Sequence, residues 1–173
     1  MVKKVAIIGP ESTGKSTLSE RLANHYQTLW VPEYARQYLT QHGMAYTYDA
    51  LLTIAKGQIA LEEEYLRKVE QPILFIDTDM YVMKVWCEFV YNKCHQWIID
   101  QIVARHYDLY LLCNIDIPWS TDVLREYPDL APRQQLFRMY HDILVNQPTP
   151  WALISGDNDE RLQSAINAVK QIS

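Results

Sequence analysis

The feature that most constrains this chain is KKVAIIGPESTGKST, residues 3–17. A short run rich in β-branched residues ends at Gly9 and reads as a buried strand. Gly14 and Lys15 come five and six residues later, followed by Ser16 and Thr17. STLSERLANHY then sets Leu18, Leu22 and Tyr26 at i, i+4 and i+8, one apolar helix face. Strand, glycine loop and helix in that order match G-x-x-x-x-G-K-[ST] in the context that gives the motif its meaning.

The chemistry of such a loop follows from its geometry. Gly9 and Gly14 let the backbone wrap closely around phosphate oxygens. The N–H groups of the loop, Glu11, Ser12 and Thr13 among them, point inward as an anion nest, and the helix N-terminus adds partial positive charge. Lys15 is expected to reach the β- and γ-phosphates of ATP. The Ser16 hydroxyl is expected to ligate Mg²⁺, and Thr17 to donate to the α-phosphate.

The rest of the chain alternates strands and helices. TLWV (28–31), ILFID (73–77), LYLLCN (109–114) and WALISG (151–156) read as further strands. Helical patterns lie in EYARQYLTQH, stopped at Gly43, and in a long stretch from about Ala50 to Val69 capped by Asp49. In that stretch Leu52, Ala55, Ile59 and Leu66 face inward. Others lie in YVMKVWCEFVY, QWIIDQIVARHY, RQQLFRMYHDILVN and NDERLQSAINAVKQI. Near-continuously apolar strands between helices predict an α/β fold. It is a doubly wound, five-stranded parallel sheet with helices on both faces, of the P-loop NTPase type. Its crossovers should be right-handed. The 173 residues suit a single domain, 1–173, with no linker or repeat.

In open parallel sheets ligands gather beyond the carboxyl ends of the strands. Asp77 ends the third strand in FIDTD and is the expected partner of Mg²⁺, directly or through water; Asp79 follows two residues on. Either acid has a helix-capping alternative. Glu33, after the second strand in VPEYAR, is placed to accept a proton from a hydroxyl attacking the γ-phosphate. Arg36 is placed to pair with Glu33 or with substrate, the bland alternative being a surface Glu–Arg helical pair.

Residues 115–132 contain Pro118, Pro128 and Pro132 and read as an irregular lid. Arg125 and Arg133 in or beside it are placed to neutralise the transferred phosphoryl group. The planar indole of Trp119 offers a stacking surface, with a folded-back loop anchor as its alternative. The adenine is expected near SGDND (155–159), where Asp157 or Asn158 also suits a helix cap.

A net charge of -5 argues against a duplex nucleic-acid partner. Three cysteines without metal spacing, and no signal segment, suggest a reducing cytoplasm. No apolar run reaches the ~20 residues that a membrane span needs.

GPESTGKST, PEYAR, AKGQ, FIDTD and PWSTDVLR, in that order, resemble the ribosylnicotinamide kinase domain of the NadR family. The resemblance runs over nearly the whole chain. It implies a P-loop kinase fold and ATP-dependent phosphorylation of the 5′-hydroxyl of nicotinamide riboside, with Mg²⁺, to give nicotinamide mononucleotide. Its motifs fall on Gly9 to Thr17, Glu33, Tyr34, Arg36, Asp77, Asp79, Trp119, Asp122 and Arg125. Tyr34, Arg36, Asp79, Trp119 and Asp122 are thereby implied in substrate binding. Val123 departs from the glycine that this family often carries in the lid. The chain starts at the first kinase strand, so the adenylyltransferase and DNA-binding domains of multidomain members are expected to be absent. Two other functions suit the residues alone: a kinase for another nucleoside or small metabolite, and a nucleotide-dependent regulatory ATPase. A GTPase is disfavoured, because CNID lacks the lysine of a guanine signature.

Overall fold

The structure is a computed structural model that describes residues 1–118 and 126–172. In chain order it contains β1 (Lys3–Ile8), α1 (Lys15–Tyr26), β2 (Trp30–Val31), α2 (Tyr34–His42), α3 (Tyr48–Lys68) and β3 (Ile73–Asp77). Then come α4 (Met80–Tyr91), α5 (Gln96–Ala104), β4 (Leu109–Cys113), α6 (Leu130–Val145), β5 (Trp151–Ile154) and α7 (Asn158–Lys170). The five strands form one parallel sheet in the order β2-β3-β1-β4-β5, as the alternating pattern predicts. The central strand β1 lies between β3 and β4, so the loop after it opens where the strand order reverses.

Both faces of the sheet are covered, which is why its strands read as continuous apolar runs. On one face Val5, Ile7, Phe75 and Leu111 pack under α1 and α7. On the other, Ala6, Ile8, Leu74 and Leu112 pack under α4 and α6. A third cluster, Leu51, Ile54, Met80, Met83 and Ile98, joins α3, α4 and α5 beside the sheet.

Several local expectations are corrected. The cap of α3 is Thr47, whose hydroxyl accepts the Ala50 N–H at 3.2 Å; Asp49 lies in the first turn. The buried face of α3 runs through Leu51, Ile54, Ala55, Gln58, Ile59 and Glu62, so Leu52 is half-buried and Leu66 exposed. A polar Gln58 and Glu62 on that face disguise it, because both are buried for their hydrogen bonds. The helix expected to run to Tyr107 stops at Ala104. Arg105 and Tyr107 are drawn instead to carboxylates on α3. In contrast, α6 begins three residues before the expected helix, at Leu130. Pro132 fits its first turn, where a missing N–H removes no intrahelical bond.

Candidate active site

The loop between β1 and α1 has the shape that its glycines allow. Gly9 has φ 142°, and a Cβ there would lie 2.8 Å from the Cys113 carbonyl at the end of β4. Gly14, at φ 77°, opens α1. Three of the loop carbonyls, those of Pro10, Ser12 and Thr13, accept hydrogen bonds from identifiable side chains. Thr13 Oγ1 donates to the Pro10 carbonyl at 2.6 Å, and Lys15 Nζ donates to the same oxygen at 2.9 Å. Arg133, buried on α6, donates to the Ser12 and Ile117 carbonyls at 3.5 and 3.4 Å. Arg161, buried on α7, donates to the Thr13 carbonyl at 2.8 Å, to Asn114 at 3.0 Å and to Gly156 at 2.7 Å, and it pairs with Asp116. Carbonyls bonded in this way suit a loop whose N–H groups bind an anion.

Asp77 closes this loop from below. The Ser16 hydroxyl donates to Asp77 Oδ2 at 2.5 Å. Asp77 is wholly buried, and burial first, then the nearby Glu33 carboxylate, pushes its pKa above the ordinary aspartate range. Thr78 adopts φ 78°, a conformation that a β-branched residue takes only when its surroundings impose it. That turn separates the roles of the two acids in FIDTD. Asp79 becomes the N-cap of α4, accepting the Tyr81 and Val82 N–H groups at 3.0 and 3.3 Å, and burial pushes its pKa up to about 7. Ser16 and Asp77 together offer hard oxygen donors. Such a pair suits a small divalent cation that takes its other ligands from phosphate and water. No cluster of three or more metal-binding side chains exists among the described residues.

A cavity of about 160 Å³ spans the loop and a second, more apolar compartment. Gly9 and Glu11 to Thr17 line the first side; Glu33 and Arg36 stand between; Trp86, Phe89, Tyr127 and Tyr140 line the second. Glu33 occupies the N-cap position of α2 without a capping bond from its side chain. Its placement depends on Gln58, which accepts the Tyr34 N–H at 2.7 Å and donates to the carbonyls of Pro32 and Asp77 at 3.3 and 3.4 Å. Tyr34 itself does not line the cavity. Its ring lies on α3 at Gly57, where a Cβ would come within 2.0 Å of it.

The Glu11 side chain reaches from the loop to residues 126–127. Its carboxylate accepts the N–H groups of Glu126 and Tyr127, and burial raises its pKa. Asp157 accepts the N–H groups of Asp159 and Glu160 at 2.9 Å and forms a capping box with Glu160, the capping alternative for that residue. Trp119, Asp122, Val123 and Arg125, with the stacking and lid roles expected of them, lie outside the described residues. Sequence reasoning missed Arg161, Gln58 and the aromatic compartment. Gln58 lay in AKGQ without a reason attached; Arg161 carries no local signal, since three of its partners, Thr13, Asn114 and Asp116, are distant in sequence.

The chain is 30% identical to the trifunctional NAD biosynthesis/regulator protein NadR of Salmonella typhimurium and 28% identical to that of Escherichia coli, over 99% of its own length. It spans 43% of the length of each of these curated relatives. Among solved structures, NadR protein in complex with NR superimposes with a TM-score of 0.75 at 21% identity, over 99% of this chain and 51% of that one. A deoxyadenosine kinase from M. mycoides superimposes with a TM-score of 0.71 at 13% identity, over 98% of this chain and 100% of that one. These likenesses show the fold. Residues 4–161 match the family model described as AAA domain, and the chain belongs to that family.

Proposed function

We propose that this chain is an ATP-dependent kinase that phosphorylates the 5′-hydroxyl of nicotinamide riboside to nicotinamide mononucleotide, a step of NAD biosynthesis. The observation that carries the reading is one cavity with two unlike ends. A phosphate-shaped loop with Ser16 hydrogen-bonded to Asp77 faces an aromatic compartment, with Glu33 between them. The full-length similarity to NadR proteins, and the NadR structure with NR, which we read as nicotinamide riboside, support the choice of acceptor.

In this reading the loop N–H groups and Lys15 hold the β- and γ-phosphates, Lys15 leaving the Pro10 carbonyl to do so. Ser16 and Asp77 would hold Mg²⁺, which would supply charge neutralisation for the phosphates when bound. Glu33 accepts the proton of the attacking hydroxyl, and Arg36 binds acceptor or phosphoryl oxygens from α2. Arg133 acts from behind the loop, through Ser12. Arg125 supplies further positive charge, Asp122 binds the acceptor, and the adenine lies by residues 155–159. The chain works as one domain in the cytoplasm.

An ADP-release screen across nucleosides tests the assignment. Nicotinamide riboside should give the highest kcat/KM, and turnover with another nucleoside alone would replace the acceptor. Glu33→Gln should lower kcat by about 10²–10⁴-fold if general-base catalysis dominates. Trp119→Ala should weaken riboside binding by about ten- to a hundredfold through lost ring stacking, with ATP binding nearly unchanged.

A further inference from the structure

We infer that Glu11, although it lies in the phosphate loop, is a positioning residue for the acceptor: its carboxylate tethers residues 126–127 and thereby sets the aromatic compartment. The inference rests on the kinase reading for its catalytic consequence, but its geometry does not.

Glu11 Oε1 accepts the Glu126 N–H at 2.9 Å and the Tyr127 N–H at 2.5 Å, and Oε2 lies 3.1 Å from the Glu126 nitrogen. Two consecutive amides on one carboxylate are charge-assisted bonds, stronger than neutral ones. The link continues beyond them. Tyr46 donates its hydroxyl to Glu126 Oε2 at 2.9 Å, and Trp86 Nε1 donates to the Tyr46 oxygen at 2.9 Å. The Tyr46 and Trp86 rings meet edge to face at 4.9 Å, and Tyr127 meets Phe89 the same way at 5.1 Å. Trp86, Phe89 and Tyr127 are walls of the aromatic compartment. The phosphate loop is thus joined to those walls by side chains across the cavity mouth, independently of the sheet. On the phosphate side Lys15, Ser16 and the loop N–H groups remain when this carboxylate is removed, and its link to that side is the attraction between its charge and Lys15.

Removing the carboxylate should therefore be felt at the wrong end of the cavity for a phosphate-loop residue. Glu11→Ala should raise KM for nicotinamide riboside by about ten- to a hundredfold, the range for bonds to a charged group. Affinity for AMP-PNP should change by a clearly smaller factor than KM for the riboside, because Lys15, Ser16 and the loop N–H groups are kept. Glu11→Gln keeps one carbonyl acceptor and should fall between wild type and alanine; it also serves if the alanine variant does not fold. Amide hydrogen exchange gives a readout that needs no acceptor. Exchange at Glu126 and Tyr127 should accelerate in the variants, while the amides at the start of α1 keep their wild-type rates. Should wild-type protein show no transfer to nicotinamide riboside, the kinase reading fails, and the exchange data alone decide the tether. Equal losses for riboside and AMP-PNP, a fall in kcat alone, or unchanged exchange at 126–127 would each overturn the inference.

Discussion

Glu62 and Asp77 are carboxylates with almost no solvent exposure, at opposite ends of the same sheet. At the N-terminal end Glu62 meets Lys4 at 3.0 Å, Arg105 at 3.5 Å and the Tyr107 hydroxyl at 2.7 Å, and Lys4 also lies over the Tyr107 ring. At the C-terminal end Asp77 has the hydroxyls of Ser16 and Thr78 and, among the described residues, no ion pair. Burial and the neighbouring Glu33 then push its pKa up, and Lys15 only partly opposes them. One end is neutralised internally. The other keeps an acid whose charge is most stable when something from solution arrives. A buried carboxylate is therefore not itself a sign of a site: Glu62 is answered by cations, Asp79 by the N–H groups that it caps, and Asp77 by hydroxyls alone.

The comparison breaks first, and with the largest effect, at Glu62. Glu62→Ala should destabilise the fold by about 3–5 kcal/mol, because Lys4 loses its carboxylate, the Tyr107 hydroxyl loses its acceptor and Arg105 keeps only Glu63, while KM values stay close to wild type. Denaturant unfolding measures this, and an unchanged midpoint would end the idea that the lower cluster is structural. Next is Lys15→Ala, expected to reduce phosphoryl transfer by about 10²–10³-fold without loss of folded protein. Asp77→Asn sharpens the contrast. It should raise the Mg²⁺ concentration needed for half-maximal rate by about 10–100-fold, yet the apo protein should melt no lower than wild type. A large drop in melting temperature would put Asp77 in the same class as Glu62. The smallest effect is expected at Thr47→Ala, about 1 kcal/mol from one lost cap and no change in rate.

Much of the sheet end that carries the site was readable from residues in sequence. The loop from Gly9 to Thr17, and Asp77 at the end of β3, depend on local order: a strand, then the chemistry, then a helix. The internally neutralised end was not readable, because Lys4 in β1, Glu62 in α3, and Arg105 and Tyr107 in the connection before β4 are brought together only by the fold. The same reason hid Arg161, and it misassigned Leu66, whose helix buries Gln58 and Glu62 in preference. Glu11 shows a subtler limit. Its backbone position was evident from the motif, but the direction of its side chain depends on amides more than a hundred residues away. For Asp79 and Asp157 both a functional and a capping role were open, and the structure supplies capping partners for each.

Gly57 and Gln58 act together as a spacer gauge. The bare face at Gly57 admits the Tyr34 ring, and Gln58 touches the chain just before and after Glu33 as well as the carbonyl of Asp77. The separation between the proposed base and the Ser16–Asp77 pair is thus fixed by a helix that contributes neither. Anyone grafting a different acceptor pocket onto this scaffold, by exchanging α2 or recombining segments between relatives, would have to move residues 57 and 58 with residues 33 and 34 as one cassette. Transplanting the catalytic strand ends alone would carry over the reactive groups but not the ruler that spaces them.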